Sequence, residues 1–150
     1  MADRTSIRIR KARRDDAARI AQLSGELGYP ASAEQIVTRL RQLTPTTKHA
    51  VFVAESLDNG GELIGWVHVS TSHLLESDIR AEVNGLIVAE GQRSAGAGAK
   101  LLQAAEEWAR RRGCKGMNVR SNVIRERAHK FYEVHGYEHY KTQKAFRKLL

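Results

Sequence analysis

Three groups of residues in this chain have the types and spacing for chemistry. Arg93-x-x-Gly96-x-Gly98 lies between an apolar run at 83–88 and a long amphipathic stretch at 99–112. Its glycines let the backbone turn tightly and come close to a ligand. The loop amides and those of the first helical turn then point one way, and the helix dipole adds partial positive charge, so the nest suits a phosphate or pyrophosphate. Farther on, Asn122-x5-Ala128-x-x-Phe131-Tyr132-x3-Gly136-Tyr137 puts Ala128 and Tyr132 on one helical face. A tyrosine hydroxyl, with a reference pKa of about 10, stays protonated at neutral pH and can donate a proton; the other reading of Tyr132 is a core aromatic beside Phe131. Glu82 is a weak base at its reference pKa of about 4.3 unless burial raises it, and otherwise a solvated strand-end carboxylate.

Competing motifs fail on particular residues. The dinucleotide fingerprint needs a third glycine where Leu101 stands, and the P-loop needs Gly-Lys followed by Ser or Thr, against Gly98-Ala99-Lys100-Leu101 here. The glycines are also compatible with a plain tight strand-to-helix connection. His135 and His139 are four apart, but Gly136 interrupts the helix between them and no carboxylate or cysteine cluster joins them, so no metal site is expected. Cys114 has no base near it in sequence and reads as a small buried residue.

The elements that must position these residues follow from periodicity. Residues 7–10 alternate as a short strand, and Asp15 or Asp16 caps a helix running to about Leu27. Ser32-Ala33-Glu34-Gln35 is a capping box opening a second helix with the stripe Ile36, Val37, Leu40 and Leu43. Residues 50–55 and 63–70 form strands about the turn Asp58-Asn59-Gly60-Gly61, the second with Trp66, His68 and Ser70 on one face and Val67 and Val69 on the other. A strand at 80–88, the long helix, a strand at 116–121 and a helix from about Ile124 to Val134 come next. Residues 137–140 and 143–149 read as a closing antiparallel pair, which completes one mixed α/β domain.

Composition bounds the rest. At 150 residues and 41% apolar, the chain can bury a real core. It has no apolar run of membrane-spanning length, the opening Met1-Ala2-Asp3-Arg4-Thr5-Ser6 lacks an apolar signal core, and Cys114 is its only cysteine, so a cytoplasmic protein is expected. The formal charge of +8 favours an anionic partner, either a phosphorylated cofactor or nucleic acid. That charge is scattered, no nucleic-acid motif accompanies it, and its densest cluster, Arg110-Arg111-Arg112 with Lys115, reads as a solvated helix end.

The run 81–88 with the loop Arg93 to Gly98 resembles the central motif of the GNAT N-acetyltransferases, and the pattern from Asn122 to Tyr137 resembles that family's other hallmark. The likeness covers nearly the whole chain. It implies an α/β (α+β) GNAT fold, a single mixed, mostly antiparallel sheet of about six to seven strands flanked by about four helices, in one domain over residues 1–150. It implies acetyl-CoA as co-substrate, with the amides of Ile87 and Val88 toward the pantetheine arm and thioester. The amides of Ser94, Ala95, Gly96, Ala97, Gly98 and Ala99 would hold the pyrophosphate, with Arg93 alongside. Ser94 and Ala95 stand where the family often has glycine and a basic residue, which keeps the backbone nest but removes a charge contact.

By the same likeness Tyr132 is the general acid and Glu82 the base, directly or through water, with His68 and His73 in reserve. Arg125 occupies the place where the family often has asparagine, and Asn122 substitutes for it from the preceding loop. The implied reaction is acetyl transfer by direct attack to a primary amine of a small molecule, aminoglycoside-like or polyamine-type. A protein or peptide amine acetyltransferase and a non-catalytic acyl-CoA-binding module are the alternatives. Neither metal, membrane nor nucleic acid is implied, and a homodimer fits family habit.

Overall fold

Short runs rich in β-branched and aromatic residues become the strands of one sheet, and their alternation decides which side each residue faces. The structure, a computed structural model, describes residues 6–150, so the expectation about the opening of the chain lies, for residues 1–5, outside the described residues. Two compact units follow one another, the first ending at Val119 and the second running from Arg120 to Leu150.

In the first unit the order is β1 (Ile7–Lys11), α1 (Ala17–Glu26), α2 (Ala33–Leu43), β2 (His49–Ser56), β3 (Glu62–Ser72), β4 (Arg80–Val88), α3 (Ala97–Arg111) and β5 (Met117–Val119). The sheet order is β1-β2-β3-β4-β5, antiparallel as far as β4 and parallel between β4 and β5. A parallel pair needs a crossover, and α3 supplies it. No helix of the described residues is long and apolar enough to cross a membrane.

Val67 and Val69 are fully buried, while Trp66 and His68, on the opposite side of β3, are half-buried. Helix α3 packs on β2, β3 and β4 and buries Leu101, Leu102, Ala105 and Trp108. Gly65 permits that approach, since a Cβ there would stand 2.7 Å from the Ile87 carbonyl oxygen and 3.1 Å from Leu101 Cδ1. On the other side Ala17, Ile20, Leu40, Val53 and Leu63 form a cluster with Trp66 against it. The expected capping box at Ser32 is present, with Gln35 N donating to Ser32 Oγ and Ser32 N to Gln35 Oε1.

Asp16 departs from expectation. Its carboxylate does not cap α1 but accepts from Arg10 Nη1 and Nη2, both at 2.8 Å, and from the Arg13 amide. Arg10 also donates to Glu55, which Arg8 holds from its other oxygen at 2.8 Å. Two carboxylates in a nearly buried position need such partners, and the guanidinium competes successfully for the would-be cap.

The second unit holds α4 (Glu126–Val134). Among its described residues no strand forms, so the expected closing pair at 137–140 and 143–149 is absent and the sheet has five strands rather than six or seven. Tyr140, Phe146 and Leu149 are exposed there, and a two-stranded hairpin without a buried face is marginal in water.

Candidate active site

The strand that carries Glu82 also offers an open edge. Strand β5 pairs with β4 only from Ala81 to Val83, and among the described residues no strand continues along that edge toward Val88. Ala89 N donates to Ile64 O, which makes Ile64 and Ala89 a hydrogen-bonded pair of the antiparallel ladder. Bonded and non-bonded pairs alternate, so the Val88 amide, opposite Gly65, turns away from β3 toward the open edge. Ile87, opposite Trp66, turns its amide into the β3 ladder instead. Of these two residues, Val88 is therefore the one with a backbone donor on the open side.

Immediately after β4 the chain makes a 3-10 turn from Glu90 to Ala95 that holds Arg93, Ser94 and Ala95. Arg93 Nε donates to the Val88 carbonyl at 3.3 Å, which folds the turn back over the end of the strand. Gly96 has φ +86, a left-handed conformation that favours glycine, and serves as N-cap of α3. Ala97, Gly98 and Ala99 make up the first turn of the helix, whose leading amides have no intrahelical acceptor. A Cβ at Gly96 would meet nothing within 4 Å. The leading amides of α3 are the group here that could hold an anion.

Glu82 is half-buried on β4, opposite Ser70 on β3 and Asn118 on β5. A bulge in β4 sets Asn84 out of register, and its Nδ2 donates to Ser70 Oγ at 2.8 Å. Ser70 in turn lies opposite His49 on β2. Directly opposite residues share a face, so Glu82, Ser70 and His49 form one row across three strands. His68, two residues before Ser70, lies on the same face, and its Nε2 is 3.0 Å from His49 Nδ1. Burial, reinforced by the charge of His49, holds the His68 pKa down at about 4. His73 lies in the exposed stretch after β3.

In the second unit Tyr132 sits on α4, half-buried, with Ala128 one turn before it. Its ring meets Phe131 edge-on at 5.3 Å and Tyr137 at 5.7 Å, which fixes its orientation. Burial pushes its hydroxyl pKa up, against a smaller opposing pull from Arg125. Asn122 uses its amide oxygen locally, accepting from the Ile124 amide at 3.1 Å. Its backbone carbonyl contacts His129 Nε2 at 2.9 Å.

Cys114 is half-buried rather than buried, because it falls in the turn after α3, and burial still raises its thiol pKa away from nucleophile chemistry. Among the described residues no cluster of three potential metal ligands occurs. Sequence reasoning passed over His49 and Asn84. Neither has a motif, and only the cross-strand register and the bulge bring them to Glu82 and His68.

Residues 17–137 match the Acetyltransferase (GNAT) family. The chain is 32% identical over 134 residues to an aminoglycoside N(6')-acetyltransferase type 1 of Stenotrophomonas maltophilia, covering 87% of this chain and 85% of that protein. It is 29% identical over 126 residues to an aminoalkylphosphonate N-acetyltransferase of Salmonella typhimurium, covering 82% and 77%. Among solved structures it is similar to AAC(6')-Iy in complex with a bisubstrate analogue, CoA-S-monomethyl-acetylneamine. The TM-score there is 0.83 at 18% identity, covering 96% of this chain and 99% of that one.

Proposed function

Because the chain belongs to the acetyltransferase (GNAT) family, we propose that it moves the acetyl group of acetyl-CoA to a primary amine of a small molecule by direct attack. The observation that carries this reading is the joint at the end of β4. An outward-facing Val88 amide is followed within one turn by the Gly96-capped start of α3, so a thioester donor and a pyrophosphate nest belong to one continuous stretch of backbone. What supports a phosphate there is that the leading amides of α3 complement negative charge and that a Cβ at Gly96 would meet nothing within 4 Å.

In this reading the amides of residues 94–99 hold the pyrophosphate, with Arg93 beside them, and Val88 N–H polarises the thioester carbonyl. Glu82 takes the proton that the acceptor ammonium must lose, because only the neutral amine has a lone pair for attack. The C–N bond forms and the C–S bond breaks; Tyr132 gives its hydroxyl proton to the departing thiolate, and its phenolate regains a proton from the second N–H that the new amide nitrogen must lose. Burial, which raises its pKa, keeps the hydroxyl protonated until the thiolate leaves. Ile87, with its side chain packed against Leu23 and Ala89, holds the end of β4 in place, and Asn122 supports the cofactor from the loop before α4. Residues 1–150 act as one domain, in the reducing cytoplasm that a single cysteine fits.

The two named relatives point to amines of opposite character, a polycationic aminoglycoside and an aminoalkylphosphonate. The charge of +8 repels the first and attracts the second, so among small amines it favours an acceptor carrying an anionic group. Thiol release from acetyl-CoA, followed over a panel of both kinds of amine, tests the reading. Turnover with at least one of them supports it, and cofactor binding with no turnover over the whole panel would leave a binding module.

A further inference from the structure

The mechanism above uses Glu82 but leaves the polar side chains that share its face without a role. Glu82, Ser70 and His49 stand opposite one another across β4, β3 and β2, with neighbouring Cβ atoms about 5 Å apart. Asn84 Nδ2 occupies an acceptor position of Ser70 Oγ, so the serine keeps its own proton to pass on. His49 and His68 share a ring-to-ring hydrogen bond of 3.0 Å with centroids 5.2 Å apart. One ring must donate and the other accept, so the bond holds at most one extra proton between them. His49 also lines a cavity of about 230 Å³ at the end of β1, together with Lys11, Thr47 and Arg112.

We propose that the His49–His68 pair is the proton outlet of the acceptor site, receiving from Glu82 through Ser70 and releasing to the water of the cavity beside His49. The proposal rests on the reading of Glu82 as base. The balance is simple. An N–H bond of the acceptor ammonium breaks and an O–H bond forms on Glu82. Ser70 Oγ takes that proton as its own moves on to the imidazole pair, and the pair gives one proton to water. Glu82 returns to its carboxylate form, ready for the next ammonium. His49 and His68 never touch the acceptor; they are positioning and relay residues.

The groups around the pair come from several elements. Lys11 from β1 and Arg112 from the end of α3 line the cavity beside His49, while α2 presents Leu40, Leu43 and its cap Thr44. The α1 cation Arg19 is engaged at the other end of β3, with Leu63 O and Glu62. The low pKa of His68 agrees with a group that carries a proton only in passing.

The test is the pH profile of kcat/KM for His49→Gln and His68→Gln, with 2-aminoethylphosphonate and neamine as acceptors. Near pH 7 each variant is expected to lose about tenfold in kcat/KM, the low end of a lost proton-transfer step. Above the pKa of the acceptor amine, at about 10, the substrate arrives already neutral and the variants should rejoin the wild type. Added imidazole should restore part of the rate of His49→Gln, which opens the rim of the cavity. Calorimetry with acetyl-CoA checks that the variants are folded, and His49→Gln, at the rim, keeps the test alive if His68→Gln fails to fold. A defect of equal size at every pH, or no defect, would overturn the outlet. Full activity of Glu82→Gln would instead overturn the base assignment beneath it, and a wild type that acetylates neither amine would remove both.

Discussion

Tyr132 carries the most specific chemical assignment. Its hydroxyl is kept protonated by burial, and its ring is fixed between Phe131 and Tyr137. Tyr132→Phe keeps the ring and removes the proton, so kcat should fall roughly 100-fold, within the usual range for a lost general acid. The Kd for acetyl-CoA should stay within about twofold, because the pyrophosphate nest is untouched. Unchanged kcat in stopped-time thiol-release assays would remove the residue from the mechanism. Tyr132 could be singled out through the resemblance of the run from Asn122 to Tyr137 to a family hallmark, its spacing alone leaving a core aromatic equally open, whereas its burial could not. His49 marks the opposite case. A lone histidine before an apolar run has no signature, and its bond to His68 depends on a register in which His49 meets Ser70.

At the level of elements, the helices and the β2–β3 hairpin followed from sequence because the helices carry an apolar stripe and the hairpin turns at Gly60-Gly61. Val67 and Val69 against Trp66 and His68 on β3 is the clearest alternation. The closing pair failed for the converse reason, since Phe146 and Leu149, three residues apart, would point to opposite faces of a strand, and both are exposed. The cap of α1 failed because a long-range partner, Arg10, outcompeted a local one for Asp16. The β4 bulge at Asn84 was equally out of reach, being a property of two strands together. Close approach at Gly65 carries a prediction of its own. The contact at 2.7 Å is to backbone, which cannot swing aside, so Gly65→Ala should destabilise by roughly 2 kcal/mol, as overpacking does. Urea titration with an unchanged midpoint would show that β4 and α3 have slack there.

For the whole molecule, charge and pH are the controlling variables. A net charge of +8 should speed encounter with anionic acetyl-CoA, so the association rate should fall as salt rises from about 0.01 M to about 0.15 M. A salt-independent rate measured by stopped flow would mean that the charge plays no part in capture. Acid stability depends on three groups. The hydrogen bond from Arg10 holds the pKa of Glu55 low, and in Asp16 burial pushes upward but the bonds from Arg10 and Arg13 prevail. Groups depressed in the native state add stability above their unfolded pKa, and that stability is lost as pH falls through the depressed native values. His68 acts earlier. Between about 6.5 and about 4 the unfolded chain binds a proton that the native site refuses, so acidification through that window also destabilises. Tm should therefore decline from pH 6.5 downward in the wild type, with a shallower decline to about pH 4 in His68→Gln; parallel curves would contradict the assignment.

The central claim is that the Gly96-capped start of α3 holds the pyrophosphate of acetyl-CoA. Isothermal calorimetry with acetyl-CoA on the wild type and on Gly96→Glu tests it most directly, with Gly28→Glu as control. Gly28, at φ +82 and likewise with open space around it, imposes the same left-handed strain on the turn after α1 rather than on the cap of α3. The account predicts binding by the wild type and Gly28→Glu, and none by Gly96→Glu, whose added bulk and negative charge fill the nest. Equal binding by all three, or none by the wild type, would contradict it.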